Sequence, residues 1–316
     1  MAAGPARGHI SMKLLQSTAL ALLMLGILVL QTPTCARAPT TGAAVAVAGI
    51  VEGPVKLIRL SARLALVEGL ALQNEDIIET APGAFVQIEF EGGDRLGVGE
   101  NTSLMLLPHL PHEAQTPPPR AYLLQGWLKI TAAENRATTT VYRLPEVDVW
   151  SPPATLVLQS NPPDLAVFVE SGSVKLQFRN NRQAGVPVLA GQYGSGQPNA
   201  KWSVAARPAA DFIQRIPVPF RDTLPARAAR YAEQKPVPKA LGEISYDEVA
   251  PWLRAETMLR LSLLERWHSR VADKTFRAGV IANLAAHPEW ERVVYPERFC
   301  VRHADGHVNA RDGCRP

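Results

Sequence analysis

Cysteine is scarce in this chain, with three residues among 316, at positions 35, 300 and 314. A scaffold built on disulfides is therefore excluded, and the fold must rest on a hydrophobic core, for which the length suffices, with room for two domains. Positive charge is not concentrated either. The net charge of +4 comes without a polybasic block, so nucleic acid is not an expected partner. No Gly-x-Ser-x-Gly nucleophile elbow occurs. The run Gly191-Gln192-Tyr193-Gly194-Ser195-Gly196 lacks the Lys-Ser or Lys-Thr ending of a phosphate loop and Pro198 follows it, so it reads as a turn. His109 and His112 lie in a proline-rich loop with no third ligand, which makes them solvent residues. Neither a cofactor nor a metal is expected. The 27 prolines are spread along the chain and favour turns and extended segments over long helices before the final third.

What is present is alternation. From Glu68 to Leu107 short apolar runs are separated by Ala81-Pro82-Gly83, Gly92-Gly93-Asp94 and Gly97-Val98-Gly99. Period-two patterning with such punctuation predicts antiparallel strands joined by tight turns. Within Phe85 to Phe90, the set Val86, Ile88 and Phe90 is expected to face a core and the set Phe85, Gln87 and Glu89 the opposite side. Similar runs occur at 43–51, 55–60, 63–67, 121–131, 138–150, 154–158, 166–170, 174–178 and 186–189.

The ordered series Gly69, Leu72, Asp76, Ile78, Thr80, Val86, Ile88, Phe90, Gly93, Leu96, Gly99, Asn101, Thr102, Leu104 and Leu106 resembles the FecR-type periplasmic domain. Glu75 stands where that family usually has glycine, and the adjacent Asn74 tolerates a left-handed backbone well. The pieces 169–174 and 188–192 extend the resemblance over about residues 45–195. It implies a binding domain. In that family such a domain passes a signal from an outer-membrane transporter to a cytoplasmic sigma factor. At most thirteen residues precede the apolar run here, so the sigma-regulating half is expected to be absent.

The N-terminus has the form of a secretory signal peptide over residues 1–38. Arg7 and Lys13 precede the apolar run from Leu14 to Leu30, and the small residues Thr34, Ala36 and Ala38 follow it. An uncleaved inner-membrane anchor facing the periplasm is the alternative, and the only expected contact with a membrane. The chain is expected in the periplasm, or secreted, in a Gram-negative bacterium. Beyond residue 206 the alternation stops. Short helices are expected at Ala209–Ile216 and Ala226–Gln234, in a stretch made basic by Arg207, Arg215, Arg221, Arg227 and Arg230. Ser245-Tyr246-Asp247-Glu248 forms a capping box, with Pro251 soon breaking or kinking that helix. A longer helix over 256–272 is expected to bury Leu261, Leu264, Trp267 and Val271. Thr275 is expected to cap the helix that follows.

The expected fold is thus mainly β: an antiparallel FecR-like β domain over 42–205, then a small α-helical domain over 206–298. A tail over 299–316 follows, tied by a disulfide between Cys300 and Cys314. A loop of that size closed by a disulfide constrains the unfolded chain by about 3 kcal/mol. Cys300, His303, His307 and Cys314 are the alternative, a zinc set. The candidate binding residues are Tyr122, Trp127, Tyr142 and Trp150, which would form a ligand face if exposed together. The expected function is non-enzymatic recognition of an envelope protein or a cell-wall polymer, in envelope sensing or signalling. A cell-wall hydrolase built on dispersed strand carboxylates, Glu75, Asp76, Glu79, Glu89 and Glu91, is the competing reading.

Overall fold

Strand-forming runs punctuated by turn residues give eighteen short strands in the computed structural model, which describes residues 43–110, 117–179, 185–198, 200 and 202–299, with Met1 and Gly4. The apolar leader, His112 and the tail carrying Cys300 and Cys314 lie outside the described residues. The disulfide and zinc readings fall there with them.

In chain order the strands are β1 (Ala44–Glu52), β2 (Val55–Arg59), β3 (Ala62–Ala65), β4 (Ala71–Gln73), β5 (Ile77–Thr80), β6 (Phe85–Phe90), β7 (Arg95–Val98), β8 (Ser103–Leu106) and β9 (Pro119–Thr131). They continue as β10 (Thr140–Leu144), β11 (Val147–Ser151), β12 (Thr155–Asn161), β13 (Asp164–Ser171), β14 (Ser173–Phe178), β15 (Val186–Leu189), β16 (Tyr193–Gly196), β17 (Ser203–Ala205) and β18 (Ala240–Glu243). One layer, sheet I, runs β4-β1-β6-β7-β9-β12-β13-β16-β17. The other, sheet II, runs β18-β3-β2-β5-β8-β9-β10-β11-β14-β15. Every pairing is antiparallel except β9–β10. Strand β9 belongs to both layers. Its first half pairs with β8 and its second half with β7, and the chain crosses between layers at Gly126, where φ is +98°. The inner faces meet in one core that includes Leu57, Ile78, Val86, Ile88, Leu104, Leu128, Leu156 and Leu176. The fold is mainly antiparallel β with a small helical part, as expected.

The pairing pattern occurs twice. In the first copy β1–β6 and β6–β7 pair in sheet I, and β2–β5 and β5–β8 in sheet II. In the second, β9–β12 and β12–β13 pair in sheet I, and β10–β11 and β11–β14 in sheet II. In sheet II the two registers run in step, whereas in sheet I each copy has a bulge the other lacks, in β1 of the first and in the β12–β13 pair of the second. The row Lys56–Glu79–Ser103 of the first copy corresponds to Val141–Trp150–Lys175 of the second. The turns leading into β8 and β14 each carry a left-handed residue, Asn101 in one and Gly172 in the other.

Much of each face turned away from the core is covered by the chain itself. Helix α1 (Ala210–Arg215) and the single turns Val218–Phe220 and Ala228–Tyr231 strap the outside of sheet I. Phe212, Ile216 and Phe220 pack there against Ile50, Phe85, Val157 and Ala166. The expectation for β6 holds, and the opposite face is covered too. Val86, Ile88 and Phe90 do join the core, but Phe85, Gln87 and Glu89 are buried as well, under the strap. Gly97 is likewise inside β7, paired with Gln87 and Lys129, rather than in a turn, and a Cβ there would press on the Phe220 and Phe85 rings. The two short helices expected around Pro217-Val218-Pro219 are α1 and the turn Ala228–Tyr231.

Helices α2 (Tyr246–Leu253), α3 (Thr257–Trp267), α4 (Lys274–Ala282) and α5 (Glu291–Val294) cover the outside of sheet II. Ile58, Ile77, Met105, Tyr122 and Leu124 share a core with Val249, Trp252, Leu259, Leu263 and Trp267. The Ser245–Glu248 capping box forms, and Pro251 is accommodated before the helix ends at Leu253. In α3 the buried ridge is Leu259, Leu263 and Trp267, while Leu261 and Leu264 are only half-buried, so the expected stripe is corrected in register. Helix α4 is capped by Asp273, which accepts from the Phe276 N–H at 2.8 Å. Thr275 lies inside the helix. Arg266 fastens this layer to the sheet by donating to the carbonyls of Leu60, Glu75 and Ile58, and the Trp267 indole donates to Leu60 at 2.7 Å. The described residues from 43 to 299 form one compact unit.

Candidate binding surface

The four aromatic residues singled out from the sequence separate into two pairs. Tyr122 and Tyr142 are interior. Tyr122 lies 6.3 Å from Trp252 under the helices, and Tyr142 is part of the core between the sheets. Burial pushes the Tyr122 hydroxyl well above its usual range, with the Glu256 carboxylate adding to the rise, and burial first and then Asp94 push Tyr142 up to about 12. Both are therefore packing residues, which corrects their assignment to an exposed ligand face. Trp127 and Trp150 are half-buried, one on sheet I and one on sheet II, and each lines its own cleft.

Trp150 lies at the end of sheet II farthest from the edge that β18 covers. Its cross-strand neighbour is Lys175, which in turn faces Pro187 on β15. These three, with Gln177, Leu189 and Thr139, line a groove of about 590 Å³. Leu189 is 52% exposed. Among the described residues Lys175 is the only ionisable one lining the groove, beside apolar and uncharged polar groups.

The border of the groove is held by charge. Gln177 pairs in register with Asp148, which binds the Arg143 guanidinium at 2.8 Å and that of Arg179 at 2.6 Å. Arg179 continues to Glu256 at the start of α3. A carboxylate shared by two guanidiniums in so buried a place is costly to disturb, which makes the sheet beneath the groove stiff.

The strand at the groove's edge is closed to strand addition. Pro187 has no N–H to offer. The Leu189 N–H is taken by the Gln192 side chain and its carbonyl by the Gln192 N–H, both at 2.9 Å. A visitor must therefore meet this surface with side chains rather than as an added strand.

Three of the five strand carboxylates are held in structural roles. Asp76 accepts two bonds from Arg59, at 2.9 and 2.6 Å, and one from the Gln73 N–H. Glu79 pairs with Lys56 and accepts from the Trp252 indole. Glu89 receives backbone amides of the strap. Among the described residues no cluster of three or more metal-ligating side chains occurs, and no helix is long and apolar enough to cross a membrane.

No protein-family model matches the chain, and no curated protein does. Among solved structures it is similar to two crystal structures of "a putative anti-sigma factor from Parabacteroides distasonis ATCC 8503", at 14% and 15% identity. Each alignment covers 43% of this chain and 62% of the other, with a TM-score of 0.35. The chain thus spans less than two-thirds of the neighbours it matches, and a likeness that distant carries no argument about function.

The motif residues of the FecR-type pattern are structural in this fold. Thr80 Oγ donates to the Gly99 carbonyl and accepts from the Thr102 N–H, while Thr102 Oγ accepts from the Trp127 N–H. The left-handed residue of the Asn74-Glu75 turn is Glu75, with φ +63°, so Asn74 does not relieve the position where the family places glycine. Sequence reasoning missed Lys175, Pro187 and Leu189 as partners of Trp150. They come from two other strands, and only the β11–β14–β15 register brings them into one row.

Proposed function

We propose that this chain is an exported, non-enzymatic FecR-like protein of the cell envelope that binds a partner protein through the Trp150 groove, in envelope sensing or signalling. The observation that carries the reading is the internal duplication. In the first copy the row Lys56–Glu79–Ser103 lies beside helix α2, whose Trp252 reaches Glu79 and whose Glu248 pairs with Lys56. In the second copy the corresponding row carries Trp150 and Lys175 beside a groove open to solvent. The same sheet geometry that receives a helix of its own chain on one side offers an apolar, singly charged face on the other. An aromatic anchor ringed by aliphatic and polar groups is the usual composition of a protein-binding hot spot. The partner expected from this surface presents an apolar ridge and a carboxylate for Lys175.

Photo-crosslinking tests this. A photoreactive side chain at position 175 or 189 is expected to give one discrete protein adduct in the envelope of the producing cells. The same group at Val218 or Val237, 68% and 90% exposed elsewhere on the surface, is expected to give none. Equal labelling from all four positions, or no adduct from 175 and 189, would sink the reading.

A further inference from the structure

The second cleft lies where β9 leaves one sheet for the other. At the crossing the partner of β9 changes from β8, last met at Gln125, to β7, first met at Leu128, and the cleft there is lined by Glu100, Asn101, Gln125, Trp127, Gln159 and Asn161, with a volume of about 290 Å³. The register fixes this assembly, since Gln159 is the cross-strand neighbour of Trp127 and Ser160 that of Gly126. A Cβ at Gly126 would run into Thr102, so the backbone at the crossing is held in place.

Four side-chain amides thus converge beside one indole, and among the described residues none of the four, Asn101, Gln125, Gln159 or Asn161, makes a side-chain hydrogen bond. Trp127 is braced from behind by Phe212 at 5.4 Å, which holds its ring while leaving it half-exposed. Among the described residues Glu100 is the only ionisable one in the lining, and one of its oxygens is already engaged by the Gly83 N–H at 2.6 Å.

The chemistry of that lining selects its ligand. A carboxamide offers two donors and an acceptor side by side, which suits a group that both gives and receives hydrogen bonds. An anion would find acceptors as well as donors and a carboxylate among them. An apolar ligand would leave the amides desolvated without partners. A vicinal diol meets both requirements, and the aliphatic face of a pyranose ring suits an indole. We propose that this cleft is a binding site for a neutral, hydroxyl-rich saccharide, of the size of a mono- or disaccharide unit. It is independent of the Trp150 groove and of the partner assigned to it.

The test is saturation-transfer NMR on the full chain with chitobiose, cellobiose, maltose and lactose as probes. At least one is expected to show saturable transfer, with affinity reduced about tenfold or more in the double variant Gln159→Leu, Asn161→Leu. A Lys175→Glu variant of the other groove is expected to leave it unchanged. The far-ultraviolet spectrum and melting temperature of the double variant confirm that it folds. Absence of saturable transfer from all four sugars, or equal transfer in the double variant, overturns the proposal.

Discussion

Glu89 offers the sharpest test of how the strap is held. It sits on the outer face of β6 at 4% exposure. Its carboxylate accepts from the Arg227 N–H at 2.7 and 2.9 Å, from the Ala228 N–H at 2.9 Å and from the Gln87 side chain at 2.9 Å. It thereby caps, from a distant strand, the turn Ala228–Tyr231, which has no side-chain cap of its own. Room for it comes from a bulge in β1, where the register slips between Ala48 and Ile50 and where a Cβ on Gly49 would collide with the carboxylate. Replacing Glu89 by alanine strands these donors. A hydrogen bond to a charged group contributes roughly 1.5–3 kcal/mol, and the bonds share one acceptor, so the loss is about 3 kcal/mol rather than their sum. The apolar anchors Phe212, Ile216 and Phe220, at roughly 2 kcal/mol each, hold the other half of the strap with about 6 kcal/mol. The anchors win. Glu89→Ala is therefore expected to loosen residues 225–231 while 210–220 stay docked. Limited trypsinolysis should cut faster after Arg227 and Arg230 but not after Arg215, and urea titration should register the loss. A stability change below about 0.5 kcal/mol, or cleavage after Arg215 rising in step, would refute the reasoning.

Glu75→Gly should stabilise the protein by about 0.5–1 kcal/mol in urea titration, because relief of a left-handed non-glycine residue exceeds the added chain entropy, and the Leu106 and Arg266 bonds to the Glu75 backbone are kept. Asp273→Ala should cost about 1 kcal/mol, and Thr275→Ala close to nothing, which separates the observed cap of α4 from the expected one. Burial raises the pKa of Glu248, but bonds from the Ser245 backbone, Arg63, the Ser245 hydroxyl and Lys56 outweigh it and bring it from 4.5 to about 2. The unfolded chain therefore takes up the proton first, and stability is lost as pH falls from about 4.5 toward 2, a slope that Glu248→Gln should flatten. His287 is buried against Tyr246, whose hydroxyl lies 2.9 Å from Nε2, and burial lowers its pKa from 6.5. Stability should then also fall as pH drops below 6.5, and His287→Gln should remove that part of the fall in a pH series of thermal melts.

The strands of the first half and the capping box at Ser245 could be read directly from the chain, because alternation, turn residues and caps are local properties that a few neighbouring residues decide. The Thr80, Asn101 and Thr102 pattern was equally legible, since those residues serve turns adjoining the strands that carry them. What covers each sheet was not. Phe85, Gln87 and Glu89 look like a solvent face, and only the return of residues 210–231 more than a hundred positions later makes them interior. The same holds for the binding surface. Four aromatics of similar sequence context became two core tyrosines and two tryptophans in separate clefts, because depth depends on which distant segment lies on top. The duplication, too, is carried by hydrogen-bonded register and hardly at all by residue identity. Local sequence determined most of the strands up to β15 and the capping box, but not β7, β16 or β18, whose residues read as turn or as non-strand until a neighbouring strand pairs with them; long-range packing decided which faces meet water, since burial is a property of pairs of segments and not of either one.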